Sequence, residues 1–137
     1  MIFQTQTVSF KEELLKAIHD FETDTLKLAL YYSTATLNED TTVYTVSDEV
    51  VGGGYTAGGE ILTGVTINNL NGIVYVNFDN VVWSPASFTA AGGLIYNASK
   101  ADRSIAVLSF GGDKTATNTF TMAMPSNTSS SALLRFN

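Results

Sequence analysis

From Gly72 to Asn137 the chain reads as short apolar runs separated by turn residues, the spacing of strands rather than of helices. Asn71-Gly72 is the sharpest local signal. It stands between Thr66-Ile67-Asn68-Asn69-Leu70 and Ile73-Val74-Tyr75-Val76-Asn77-Phe78. Asn-Gly accepts positive φ at both central positions of a type I′ turn, whose twist matches that of paired strands, so a tight hairpin is predicted. Leu94-Ile95-Tyr96, Ile105 to Phe110, Phe120 to Met124 and Ala132 to Phe136 read as further strands. Phe78, Trp83, Ile95, Tyr96, Leu108 and Phe110, at apolar strand positions, are the predicted core.

The N-terminal half is less regular. Ser9-Phe10-Lys11-Glu12 has the form of a capping box, in which Ser9 and Glu12 satisfy each other's backbone amides. Phe10, Leu14, Ala17, Ile18 and Phe21 follow at helical spacing, which predicts a helix over 10–22 whose apolar stripe covers the sheet. Met1 to Thr7 has no helical period and reads as a strand or an extended arm. Thr25 to Tyr32 alternates as a strand, and Val43 to Val46 is a short extended piece. Glu60 to Ile67 re-enters the sheet. Between the last two lies Gly52 to Gly59, with five glycines in eight residues, a backbone of high freedom that is costly to order. The class expected is mainly β (α+β): one antiparallel, sandwich-like domain over 1–137, with a short N-terminal arm and one N-terminal helix on about seven to nine strands.

Composition narrows the function classes. The 137 residues hold 45% hydrophobic and 15% charged residues, with a formal net charge of −6. Such a chain is globular and can bury a core without staples. Its mean hydropathy of +0.12 is high for a monomer and favours burial against partner subunits. The acidic balance and scattered basic residues argue against nucleic-acid binding. No apolar run has the roughly 20 residues of a spanning helix, and the N-terminus lacks the basic and apolar regions of a leader. With no cysteine there is no disulfide and no thiolate metal site, as suits synthesis in a cytoplasm.

Groups able to do chemistry are few. The Gly52–Gly59 run lacks the Lys-Ser/Thr ending of a phosphate loop and the spacing of a dinucleotide fingerprint, so it reads as a flexible or contact loop. His19 is the only histidine, and on the predicted helix it falls near Glu12, Lys16 and Glu22. One histidine with no nucleophile or second ligand does not define a catalytic site. The acidic pairs Glu22/Asp24, Glu39/Asp40 and Asp48/Glu49 read as solvated turn residues, with weak cation binding as the alternative. Trp83, Tyr55 and Tyr96 are the residues a carbohydrate-stacking platform would use, although Trp83 sits in an apolar stretch before Pro85. A small hydrolase is the weakest of the alternatives. No catalytic, cofactor-binding or metal-ligating residue is assigned.

The order of segments carries a resemblance. Asp24 to Tyr31 is followed by Gly54-Tyr55-Thr56-Ala57-Gly58-Gly59 and Leu62-Thr63-Gly64-Val65-Thr66. Then come Val82-Trp83-Ser84, Phe88-Thr89-Ala90, Ile95-Tyr96-Asn97 and Ala106 to Gly111. Over about residues 8–136 this resembles a family of small virion structural proteins of tailed bacteriophages. The resemblance implies particle assembly and supplies no active site. The expected role is a capsid decoration (cement) protein, made in the host cytoplasm and located in the virion. Its expected partners are the major capsid protein or other virion proteins and further copies of itself, a trimer among the options. A tail or tail-fibre-associated component is the alternative. A coat component also needs loops and ends that reach neighbours. That need selects Ile2, Phe3, Gly53, Gly54, Tyr55 and Phe136 as interface candidates, with pairing of both ends inside their own subunit as the alternative.

Overall fold

The computed structural model describes residues 1–137. Ten strands and one helix follow one another along the chain. They are β1 (Thr5–Gln6), α1 (Val8–Leu15), β2 (Leu26–Tyr31), β3 (Glu60–Ile61), β4 (Thr66–Leu70) and β5 (Ile73–Asn77), then β6 (Val81–Trp83), β7 (Thr89–Asn97), β8 (Arg103–Thr115), β9 (Phe120–Met122) and β10 (Leu134–Phe136). They build a five-stranded sheet in the order β1-β8-β7-β2-β3, a three-stranded sheet β10-β5-β4 and a two-stranded sheet β6-β9. All strand pairs are antiparallel. The domain is mainly β and sandwich-like, with a single helix.

The large sheet is covered on both faces. Leu28, Leu30, Ile95 and Leu108 join Phe10, Val76, Trp83, Phe120 and Leu134 in the main core, which lies between this sheet and the layer formed by α1 and the two small sheets. Ala29, Tyr31, Leu94, Tyr96 and Val107 face the other way and pack with Ala35 and Leu37 in a second cluster, flanked by Ile2 and Tyr44. Double coverage explains why β2 and β7 read as near-continuous apolar runs. Alternation survives in them, but both phases are buried.

The hairpin is formed as predicted. Leu70 pairs with Ile73 across Asn71 (φ 52) and Gly72 (φ 81). The helix differs from its prediction. Thr7 is the N-cap, and its Oγ1 accepts from the Phe10 amide at 3.3 Å. Ser9 lies inside the first turn, with its hydroxyl 3.3 Å from that of Ser104. The helix stops at Leu15, because Ala17 turns left-handed (φ 60) and closes a Schellman end. The Ile18 amide reaches the Glu13 carbonyl at 3.0 Å, and the Ala17 amide reaches Leu14 at 3.2 Å. Phe21 still meets Phe10, with centroids 5.8 Å apart, but from a turn. Val43 to Val46 forms a single bridge to β8, and Glu60 to Ile67 splits into β3 and the start of β4. Trp83, expected at an apolar strand position, falls in β6, a strand whose bounds the sequence pattern does not mark. Of the six predicted core residues five are buried, while Phe110 is only partly so.

Candidate functional site

The densest polar cluster is centred on Glu49, which is 4% exposed. The Tyr44 hydroxyl donates to its Oε1 at 2.6 Å. The Tyr55 hydroxyl and the Gly58 amide donate to Oε2, the latter at 2.8 Å. Around this carboxylate the Leu30 amide of β2 donates to the Tyr55 hydroxyl at 3.0 Å, and the Tyr96 hydroxyl of β7 donates to the Gly58 carbonyl at 2.6 Å. Tyr44 stacks on Tyr96 at 4.7 Å. Burial, and then the Glu49 carboxylate as hydrogen-bond partner, push the Tyr44 and Tyr55 hydroxyls well above their ordinary range. Burial, followed by the charges of Asp102 and Glu49, pushes Tyr96 up to about 12. These phenols therefore stay protonated and donating at neutral pH. The cluster fastens the segment 41–59 to the central sheet, and its donors and acceptors are spent on one another.

This overturns the expectation of a solvated acid for Glu49, though not for the exposed Asp48, and part of the expectation for the glycine run. Tyr55 was an interface candidate, but it is 7% exposed and committed to Glu49 and Leu30. The run is also packed. The Gly53 carbonyl accepts from the Ser87 amide at 2.7 Å. At Gly59 (φ +78) a Cβ would collide with the Leu28 carbonyl. Glycine serves close approach to the sheet here. Gly53 and Gly54 remain exposed at its outer side.

A second network surrounds His19, whose side chain is 0% exposed. It lies beyond the helix, so its predicted neighbours Glu12, Lys16 and Glu22 give way to others. Nε2 is 2.9 Å from Glu13 Oε1, and Nδ1 is 2.9 Å from the Asn97 amide nitrogen. That amide also donates to Asp24 at 2.7 Å, and Lys100 binds both Asp24 oxygens at 2.8 and 2.9 Å. Burial works against the Asp24 charge, but Lys100, Asn97 and the Asp20 amide outweigh it and hold the carboxyl down at about 2. Asp24 is thus paired, not a solvated turn acid. Both imidazole nitrogens are taken, which leaves neither for a substrate. No three His, Asp or Glu side chains converge as a cation site.

The platform residues Trp83, Tyr55 and Tyr96 are 2%, 7% and 2% exposed, so they present no stacking surface. Trp83 meets Phe88 and Phe120 edge-on inside the core, and its Nε1–H has no partner.

Both chain ends pair within the subunit. The Met1 ammonium donates to the Ala35 carbonyl at 2.7 Å, and the Phe3 amide donates to Leu37 at 2.9 Å. Ile2 packs on the second cluster, while Phe3 is 55% exposed. Phe136 is half-buried, 6.2 Å from Phe10, in β10. It borders an open apolar groove of about 570 Å³ between α1 and the small sheet, lined also by Leu14, Phe21, Ile67, Val74 and Val76. Of the interface candidates, Phe3, Gly53 and Gly54 are exposed. Comparison with protein families, curated proteins and solved structures finds no match.

Proposed function

We propose that this chain is a structural protein of a tailed-phage virion, most simply a capsid decoration protein that binds the major capsid lattice, and that it is not an enzyme. The observation that carries the reading is a contrast. The two buried polar networks are closed on themselves, whereas large apolar side chains stand in solvent: Leu15 at 90%, Val51 at 80%, Val46 at 69% and Phe3 at 55% exposed. A scaffold that does no chemistry and offers apolar contacts suits lattice binding. Val51 and Phe3 lie in or beside the segments selected from the sequence as contacts. A tail component remains the alternative within the same class. The carbohydrate-binding alternative loses its three platform residues to the core.

The test is the copy number of the chain in purified particles by quantitative mass spectrometry, together with binding of the isolated protein to undecorated capsids. A copy number comparable to that of the capsid subunit, and weaker binding by Val51→Asp or Phe3→Ser, are expected. A few copies per particle would favour the tail. Absence from particles would refute both. Deletion of residues 1–7 is unsuitable, because those residues pair with β8 and with Leu37 in the same chain.

A further inference from the structure

β4 is the outer strand of its sheet, and all five of its residues are exposed. The other outer strands have two or three residues. Natural edges are commonly guarded by a Lys, a Pro, a bulge or shortness. β4 has no charge and no proline, and its register with β5 is unbroken. The phase of its outward groups follows from the turn. A two-residue turn at Asn71-Gly72 is closed by Leu70 and Ile73 as a hydrogen-bonded pair. Alternation then directs the N–H and C=O of Thr66, Asn68 and Leu70 toward β5. Those of Ile67 and Asn69 point outward, and these two positions are symmetric about Asn68.

We infer that β4 pairs with β4 of a second copy of this chain, antiparallel, about a two-fold axis at Asn68. Ile67 then lies opposite Asn69 of the second copy, and each such pair exchanges two main-chain hydrogen bonds. Charge favours a second copy on this edge. Two chains of net charge −6 repel, but residues 66–77 carry no charged side chain, so the paired strands themselves place no like charges opposite one another. The side chains agree. Ile67 shares its face with Val74 and Val76, so pairing extends the apolar groove across the axis. A standard interface covers about 800 Å² per partner, roughly a ninth of the 7005 Å² surface. A five-residue strand covers less, so the dimer is weak and reversible. The geometry is two-fold, unlike the trimer raised from the sequence.

The inference deepens the self-association part of the proposed function, and its test uses the isolated protein, so its failure is separable from failure to bind particles. Amide exchange by NMR is compared at about 10 µM and about 1 mM, with sedimentation over the same range. The Ile67 and Asn69 amides gain protection severalfold at the higher concentration, about four- to sevenfold, while Leu70, already paired to β5, does not change. Asn69→Pro removes an outward donor twice per axis and weakens the dimer at least about tenfold without altering the monomer fold. Three outcomes overturn the inference. They are a monomer at about 1 mM, an oligomer in which the Ile67 and Asn69 amides stay unprotected, and a folded Asn69→Pro protein that associates as well as the parent.

Discussion

In residues 41–59 a glycine-rich, acidic stretch is drawn onto the central sheet by one carboxylate and two tyrosines. In residues 66–77 an apolar, uncharged hairpin stands with its outer strand wholly in solvent. Composition alone ranks the two the other way round, with the first mobile and the second buried. The difference lies in where each finds partners for its backbone. The loop has tertiary partners in β2, β7 and Ser87, whereas the hairpin is self-sufficient through its turn and needs only β10 on one side. A segment that closes most of its own hydrogen bonds and leaves the rest to water can be left exposed. One that cannot must be covered or pinned.

The largest way to break this contrast is Glu49→Ala. It leaves the buried Tyr55 hydroxyl, the partly buried Tyr44 hydroxyl and the Gly58 amide without their acceptor, and is expected to cost about 3 to 5 kcal/mol in a denaturant melt. A loss below about 1 kcal/mol would mean that the loop is held by packing rather than by the carboxylate.

Paired glycine substitutions sharpen it. Gly59→Ala meets both positive φ and the Leu28 carbonyl, and should cost about 2 to 4 kcal/mol. Gly72→Ala has similar φ with open space around it, and should cost about 1 kcal/mol. Equal losses in thermal melts would remove the distinction between a packed loop and a free turn.

Titration gives the third test. The Tyr44 and Tyr55 hydroxyls are raised in the folded state by burial and then by Glu49. Stability from them is therefore full below the unfolded tyrosine range near pH 10 and declines as pH rises through and above it. Melting temperature should fall steeply above pH 10 in the parent and less steeply in Tyr55→Phe.

The smallest effect is at the acid end. The Asp24 carboxyl is lowered from 3.8 to about 2, so its contribution is present above pH 3.8 and lost as pH falls toward 2. Lys100 is 37% exposed, and solvent screening limits that contribution to about 1 kcal/mol. Lys100→Met should shrink that step in an acid melt, the Asn97 and Asp20 hydrogen bonds keeping the rest, while leaving the alkaline one unchanged.

The sequence by itself determined the features whose physics is local. Asn71-Gly72 settles the hairpin, because only residues tolerant of positive φ close a two-residue turn. The apolar runs of β2, β7 and β8 settle the strand class and most of the core, because a run that long has to be covered. Tertiary structure decided which side of each segment is covered. Tyr55 and Glu49 carry no pattern that marks them as buried, since their partners come from β2, Tyr44 and Gly58 at separations no motif fixes. The helix end at Ala17 was invisible because the left-handed position, usually glycine, is held by alanine. Phe110 looks like its buried neighbours, yet it lies where β8 runs out past the edge of the core. Burial belongs to the pair of surfaces that meet, and a single stretch of chain specifies only one of them.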